Sequence, residues 1–248
     1  MARAANILYL ASAMLFVASG IALATMTRPA VQIVPPVMPE ALSHGLMPIA
    51  MAPPAATLPQ LYVQPQSLLM WALLIALWGL LLLDGIQRYR QPADGPRNPA
   101  RLPLTCCLAV GAIWPWIVTV NTPVAILGAL MMLCAALSGA IQARGQARAA
   151  PGFLAGWSLA LGTATVATLI GAPLSLTTPQ AALLAILSGA VIGLIAQDRI
   201  GPSISFSLAL IWAFCAVAVS TMGSSPGVAL AAIIGISGMG VVLVRAAT

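Results

Sequence analysis

Long apolar stretches, separated by short segments that contain proline or arginine, most constrain how this chain can fold. Only 6% of its residues are charged, whereas soluble domains carry roughly 25%. So few charges cannot cover a water-exposed surface, and a disordered chain would be poor in apolar residues. The apolar residues form solid blocks instead of alternating with polar ones, which excludes a membrane β-barrel. The sequence therefore predicts an all-α, polytopic membrane protein.

A membrane-spanning helix needs about 20 predominantly apolar residues. Eight segments are predicted to span, although 181–196 is long enough only when Pro179 and Gln180 are included. Proline stands at or shortly before most of the starts, where the unpaired first-turn N–H makes it tolerable. The predicted spans are residues 7–26, 68–86, 104–120, 124–141, 153–172, 181–196, 204–222 and 228–244.

The arginines predict the orientation of these spans. With eight spans and the N-terminus inside, nine of the ten arginines fall in inner segments and Arg28 alone falls in an outer one. This bias follows the positive-inside rule, and removing one span destroys it. We therefore predict eight transmembrane helices, both termini cytoplasmic, in a bacterial inner membrane.

The predicted organisation has three parts: a transmembrane anchor (1–26), a Pro-rich periplasmic segment (27–66) and a seven-helix membrane bundle (67–248). The anchor also fits a signal peptide, because Arg3 and the small residues around Ala24 flank its apolar stretch; we favour the anchor. The Pro-rich segment holds nine of the twenty prolines and favours extended geometry. It is either an apolar strap that covers a pocket or partner, or a plain tether.

Side chains for catalysis and metal binding are few. The single histidine, His44, lies in the Pro-rich segment, and the four cysteines lie in predicted spans, where we interpret them as small apolar residues. Metal sites usually need several such ligands, so we predict no metal site, no catalytic residue and no enzyme activity. The net charge of +6 comes from scattered arginines, so we predict no nucleic-acid binding.

One acidic residue, Asp84, lies inside a predicted span, near its inner end. Arg88 follows four residues later, a spacing that allows an ion pair along one helix face. A buried acid can also couple transport to protons or ions, but that function normally requires more charge within the membrane. We therefore favour the ion pair.

Small residues at helical spacing predict close helix contacts in three of the spans. Such contacts serve either the internal bundle or an oligomer. The predicted packing positions are Gly152, Gly156, Gly189, Gly193 and Gly235.

The tryptophans are the best indication of a ligand site. Trp71 lies near the outer start of the second span, and Trp114 and Trp116 lie near the outer end of the third. At similar depth beneath the Pro-rich segment, these rings are predicted to form an aromatic pocket for a flat, apolar ligand, with Asn121 supplying a hydrogen bond. An interfacial aromatic belt would explain Trp71 and Trp116 equally well.

Several segments resemble the tryptophan-rich sensory proteins, bacterial relatives of the translocator protein (TspO/MBR). Residues 65–73 (PQSLLMWAL) are similar to the opening of the family's first core helix, and 114–116 (WPW) with Asn121 to its second core helix. Residues 151–158 (PGFLAGWS), which include Trp157, are similar to the entry of a late core helix, and 211–213 more loosely to a further one. The resemblance implies a divergent, longer member that binds porphyrins or sterol-like lipids.

The leading hypothesis is a non-enzymatic membrane protein that binds a flat hydrophobic ligand, either a tetrapyrrole, a carotenoid or a lipid, between its helices. The first alternative is an accessory or structural subunit of a larger respiratory or photosynthetic complex. The second alternative is a small-molecule transporter. Expected partners are membrane lipid, subunits of such a complex, or a second copy of the chain. The predicted ligand-binding residues are Trp71, Trp114, Trp116, Asn121 and Trp157.

Overall fold

A computed structural model describes residues 2–26, 58–65, 67–90, 99–118, 120–146, 148–201, 203–221 and 226–247. Over these residues the chain is helical, with no β-strand. The helices are α1 (Ala2–Thr25), α2 (Leu58–Val63), α3 (Leu68–Arg90), α4 (Arg101–Ile117), α5 (Thr122–Gln142), α6 (Ala149–Gly171), α7 (Thr178–Ile200), α8 (Ile204–Thr221) and α9 (Pro226–Ala247).

Six of these helices, α1, α3, α5, α6, α7 and α9, are long and apolar enough to cross a membrane. Helices α4 and α8 are apolar but shorter. Each predicted span overlaps one of these eight helices, and the prediction of an all-α, multi-pass architecture is confirmed at this level. The N-terminal part of the Pro-rich segment, including His44 and Glu40, lies outside the described residues.

Capping residues define where two of the helices begin. The side chain of Asn121 accepts a hydrogen bond from the backbone N–H of Val124 at 3.1 Å and caps α5. Thr177 and Gln180 form a capping box at the start of α7. Helix α7 therefore begins at Thr178, and it ends at Ile200, just before its C-cap residue Gly201. Its 23 residues extend beyond the predicted span 181–196 at both ends.

Helix α6 forms the centre of the bundle. It packs against α5, α7 and α8, and its residues are buried along nearly its whole length. The close approach of α8 requires small residues: a methyl group at Gly156 would lie 2.6 Å from the carbonyl oxygen of Phe206. Gly152, Gly189, Gly193 and Gly235 likewise face side chains of neighbouring helices.

Helices α1 and α2 are part of the same core. Helix α1, predicted as an anchor apart from the bundle, packs against both α3 and α4 and buries Tyr9, Ala13 and Phe16. Helix α2, at the end of the Pro-rich segment, packs against α6 and buries Leu61 and Tyr62. The described end of this segment therefore lies on the protein, as the strap interpretation requires.

Candidate functional site

The indole N–H groups of Trp114 and Trp116 join α4 to its neighbours. Trp114 is buried and donates to the carbonyl oxygen of Ala125 in α5 at 2.9 Å. Trp116 is half-exposed and donates to the hydroxyl of Ser19 in α1 at 2.9 Å. Both hydrogen-bond donors are therefore already used in contacts between helices.

The other residues predicted for this pocket lie apart from Trp114. Trp71 is half-buried on α3, and α1 packs against both α3 and α4, so Trp71 and Trp114 belong to different helix interfaces. Asn121 is exposed, and its side-chain oxygen caps α5. The described structure thus does not gather the outer tryptophans around one space.

Trp157 lies in the core, beside a small cavity. Its ring meets Phe16 edge to face, with centroids 5.6 Å apart, and its indole N–H has no acceptor among the described residues. Tyr62 from α2 and Trp78 from α3 line the same cavity, whose volume is about 20 Å³. A cavity of this size holds about one water molecule. Burial raises the pKa of the Tyr62 hydroxyl well above its ordinary value, so it stays protonated here.

A buried ionic network lies at the opposite end of α3. Asp84 accepts hydrogen bonds from the Arg88 Nε at 2.7 Å and from the Tyr9 hydroxyl at 2.8 Å. Its other oxygen accepts from Nη1 of Arg148 at 2.9 Å. The predicted Asp84–Arg88 ion pair is confirmed, and both of its members are buried. No pattern in the sequence indicates Tyr9, whereas the distribution of arginines predicts Arg148 at the inner end.

The network holds Arg88 on several sides. Its guanidinium carbon lies 4.7 Å from the centroid of the Tyr9 ring, which suits a cation–π contact. Its backbone carbonyl accepts a hydrogen bond from the Asn6 side chain at 2.9 Å. The two terminal nitrogens of Arg88 are buried and have no hydrogen-bond partner among the described residues. Asp84 therefore neutralises this cluster only in part, because two arginines share one carboxylate.

A polar cavity of about 500 Å³ opens at this same end, between the end of α5 and the starts of α6 and α8. Arg144, Gln146, Arg148, Ser203 and Ser205 are the polar side chains of its lining. The turn that carries Ser203 is held by the buried side chain of Gln197, whose Nε2 donates to the carbonyl oxygen of Gly201 at 2.7 Å.

An apolar groove of about 270 Å³ runs between α5, α6 and α7. Its walls are aliphatic apart from Thr163 and Ser188, and those two hydroxyls donate to carbonyl oxygens of their own helices. The groove therefore offers no free hydrogen-bond donor to a ligand and suits a hydrocarbon chain.

Known proteins offer no further guide to this site. No family model matches the chain, and searches of curated proteins and of solved structures find no match. Within the described residues, no cluster of three or more His, Cys, Asp or Glu side chains could hold a metal ion.

Proposed function

We propose that the chain is an eight-span protein of a bacterial inner membrane, with both termini cytoplasmic. Six long apolar helices and two shorter ones support this count. Arg88 at the end of α3 and Arg148 at the start of α6 share Asp84, which supports a crossing by both α4 and α5 between them. The arginine-rich end would then be the cytoplasmic end, in agreement with the positive-inside rule.

Its proposed function is to bind a lipid-like ligand between helices, without catalysis. The observation that carries this proposal is the aliphatic groove between α5, α6 and α7, because nothing in its walls requires a polar partner. A hydrocarbon chain bound in this groove would gain more packing contacts than it makes in the mobile lipid of the bilayer. This keeps the receptor-like role that the resemblance to the tryptophan-rich sensory proteins implies.

The geometry favours a lipid over a tetrapyrrole as the ligand. The cavity beside Trp157 has a volume of about 20 Å³, whereas ligand pockets usually have volumes of roughly 300–1,000 Å³. The donors of Trp114 and Trp116 are used within the bundle. Trp114 is also buried, so a flat ligand could stack on its ring only if the packing around it opened.

The test is to count lipids that stay bound after purification in mild detergent, by native mass spectrometry, and to record an absorption spectrum of the same sample. Ser188→Phe fills the groove and should weaken lipid retention about tenfold, the equivalent of roughly 1.4 kcal/mol. Ser237→Phe on α9 is the matched control, because the Ser237 hydroxyl also donates only to its own helix and Ser237 does not line the groove.

Equal retention by the wild type and Ser188→Phe would contradict the groove as the binding site. A Soret band that survives Ser188→Phe but is lost in Trp157→Leu would favour the tetrapyrrole instead. A second protein at constant stoichiometry in the same peak would favour the accessory-subunit alternative.

A further inference from the structure

The arginine-rich end of the bundle holds more positive charge than its described carboxylates neutralise. Both ion pairs among the described residues use Asp84, which Arg88 and Arg148 share. Arg144 takes part in neither pair. Because guanidinium groups with too little counter-charge attract anions, an anion that reaches this end would be stabilised.

The polar cavity supplies the groups that an anion needs. Arg148 belongs both to the ionic network and to the cavity wall, so Asp84 fixes the side chain that would meet the ligand. The hydroxyl oxygens of Ser203 and Ser205 lie 3.2 Å apart in the same wall. Helix α6 begins there, and Arg148, which precedes it, provides no side-chain cap. The first-turn N–H groups of α6 therefore add a positive dipole end to the cavity.

The cavity also has the size and place for the headgroup of an amphiphile. Its volume of about 500 Å³ is larger than a bare phosphate ion needs. The cavity includes Ala140 of α5, and the apolar groove includes Leu133 of the same helix. Seven residues of helix separate them, about 10 Å at the usual rise per residue. A hydrocarbon chain attached to a headgroup in the cavity can therefore reach the groove.

We propose that the cavity lined by Arg144, Arg148, Ser203 and Ser205 binds the phosphate of an anionic ligand. Guanidinium groups recognise phosphate oxygens through charge-assisted, often bidentate hydrogen bonds, and serine hydroxyls complete the shell. The inference deepens the proposed function, since an anionic phospholipid would place its phosphate here and a chain in the groove. A soluble phosphate ester has the same chemistry and is the other possible source.

The first arm of the test compares phosphatidylglycerol with phosphatidylcholine on the full-length protein in mixed micelles, by native mass spectrometry. Phosphatidylglycerol should be retained about tenfold more strongly, because the choline ammonium would meet the arginines. Arg144→Gln should abolish this preference without unfolding the protein, since Arg144 is exposed and makes no ion pair among the described residues. Arg199→Gln is the matched control, an exposed arginine at the same end that does not line the cavity.

The second arm measures the shift in melting temperature caused by glycerol 3-phosphate. Stabilisation that Arg144→Gln removes, without any lipid preference, would support the phosphate site and assign it to a soluble ester. Equal retention of the two lipids, together with no stabilisation by glycerol 3-phosphate, would overturn the proposal. The groove is tested separately by Ser188→Phe, which should weaken the retention of both lipids. Arg144→Gln should weaken the retention of the anionic lipid only.

Discussion

Asp84 is the residue on which the buried charges depend. It is 4% exposed and is the only described carboxylate that contacts Arg88, which is 1% exposed. Asp84→Asn keeps the shape but removes the counter-charge of two arginines. We expect it to destabilise the fold by about 3–5 kcal/mol, the usual cost of breaking a buried ion pair. Thermal or SDS-induced unfolding in mixed micelles measures this loss.

The control for Asp84→Asn is Asp198→Asn. Asp198 is exposed and forms no ion pair among the described residues, so its substitution should change stability by less than about 0.5 kcal/mol. If the two substitutions lowered the free energy of unfolding equally, the buried network would contribute no more stability than an exposed charge. The i,i+4 pair itself could be predicted from spacing, but Tyr9 and Arg148 could not, because their contacts cross 75 and 64 residues of sequence.

At the scale of elements, the close contact between α6 and α8 depends on a glycine, Gly156, which has no side chain. A methyl group at Gly156 would lie 2.6 Å from the Phe206 carbonyl oxygen, and backbone cannot give way as a flexible side chain can. We expect Gly156→Ala to destabilise the bundle by about 1–3 kcal/mol through overpacking. The measurement is the melting temperature in mild detergent, with retained secondary structure checked by circular dichroism.

Gly238→Ala on α9 separates packing from helix propensity. A methyl group at Gly238 would meet nothing within 4 Å, so the substitution should be neutral or stabilising by up to about 1 kcal/mol. If Gly156→Ala were as well tolerated as Gly238→Ala, the close contact between α6 and α8 would be in doubt.

Element positions along the chain were predictable, whereas their rotation was not. Apolar length and proline placement locate all the long helices, because burying backbone in lipid demands continuous helix. The short helix α2 follows no such rule, since its six residues are too few to show a periodic pattern. Counting residues predicts a similar depth for Trp71 and Trp114, but α1, a helix distant in sequence, packs against the helices of both. Which face of a helix meets which neighbour depends on side-chain packing across the whole bundle.

At the scale of the whole molecule, the shared carboxylate restricts the topology. If α4 and α8 did not cross the membrane, the six long helices alone would put Arg88 and Arg148 on opposite sides. Both arginines contact Asp84, within 2.7 Å and 2.9 Å, so the end of α3 and the start of α6 belong to one side. Helix α4 has 17 residues, about 25 Å of helix against a hydrocarbon core of about 30 Å, a mismatch that local thinning of the bilayer can accommodate.

Truncation fusions after Ser175, in the turn between α6 and α7, distinguish eight spans from six. With eight spans this turn is periplasmic, so alkaline phosphatase fused there should be active and green fluorescent protein should be dark. With six spans the turn would be cytoplasmic and both signals would reverse. Fusions after Thr248 serve as the control, because either count leaves the C-terminus cytoplasmic when the N-terminus is. An inactive phosphatase after Ser175 would contradict the crossing by α4 and, with it, the cytoplasmic position of the cavity proposed to bind phosphate.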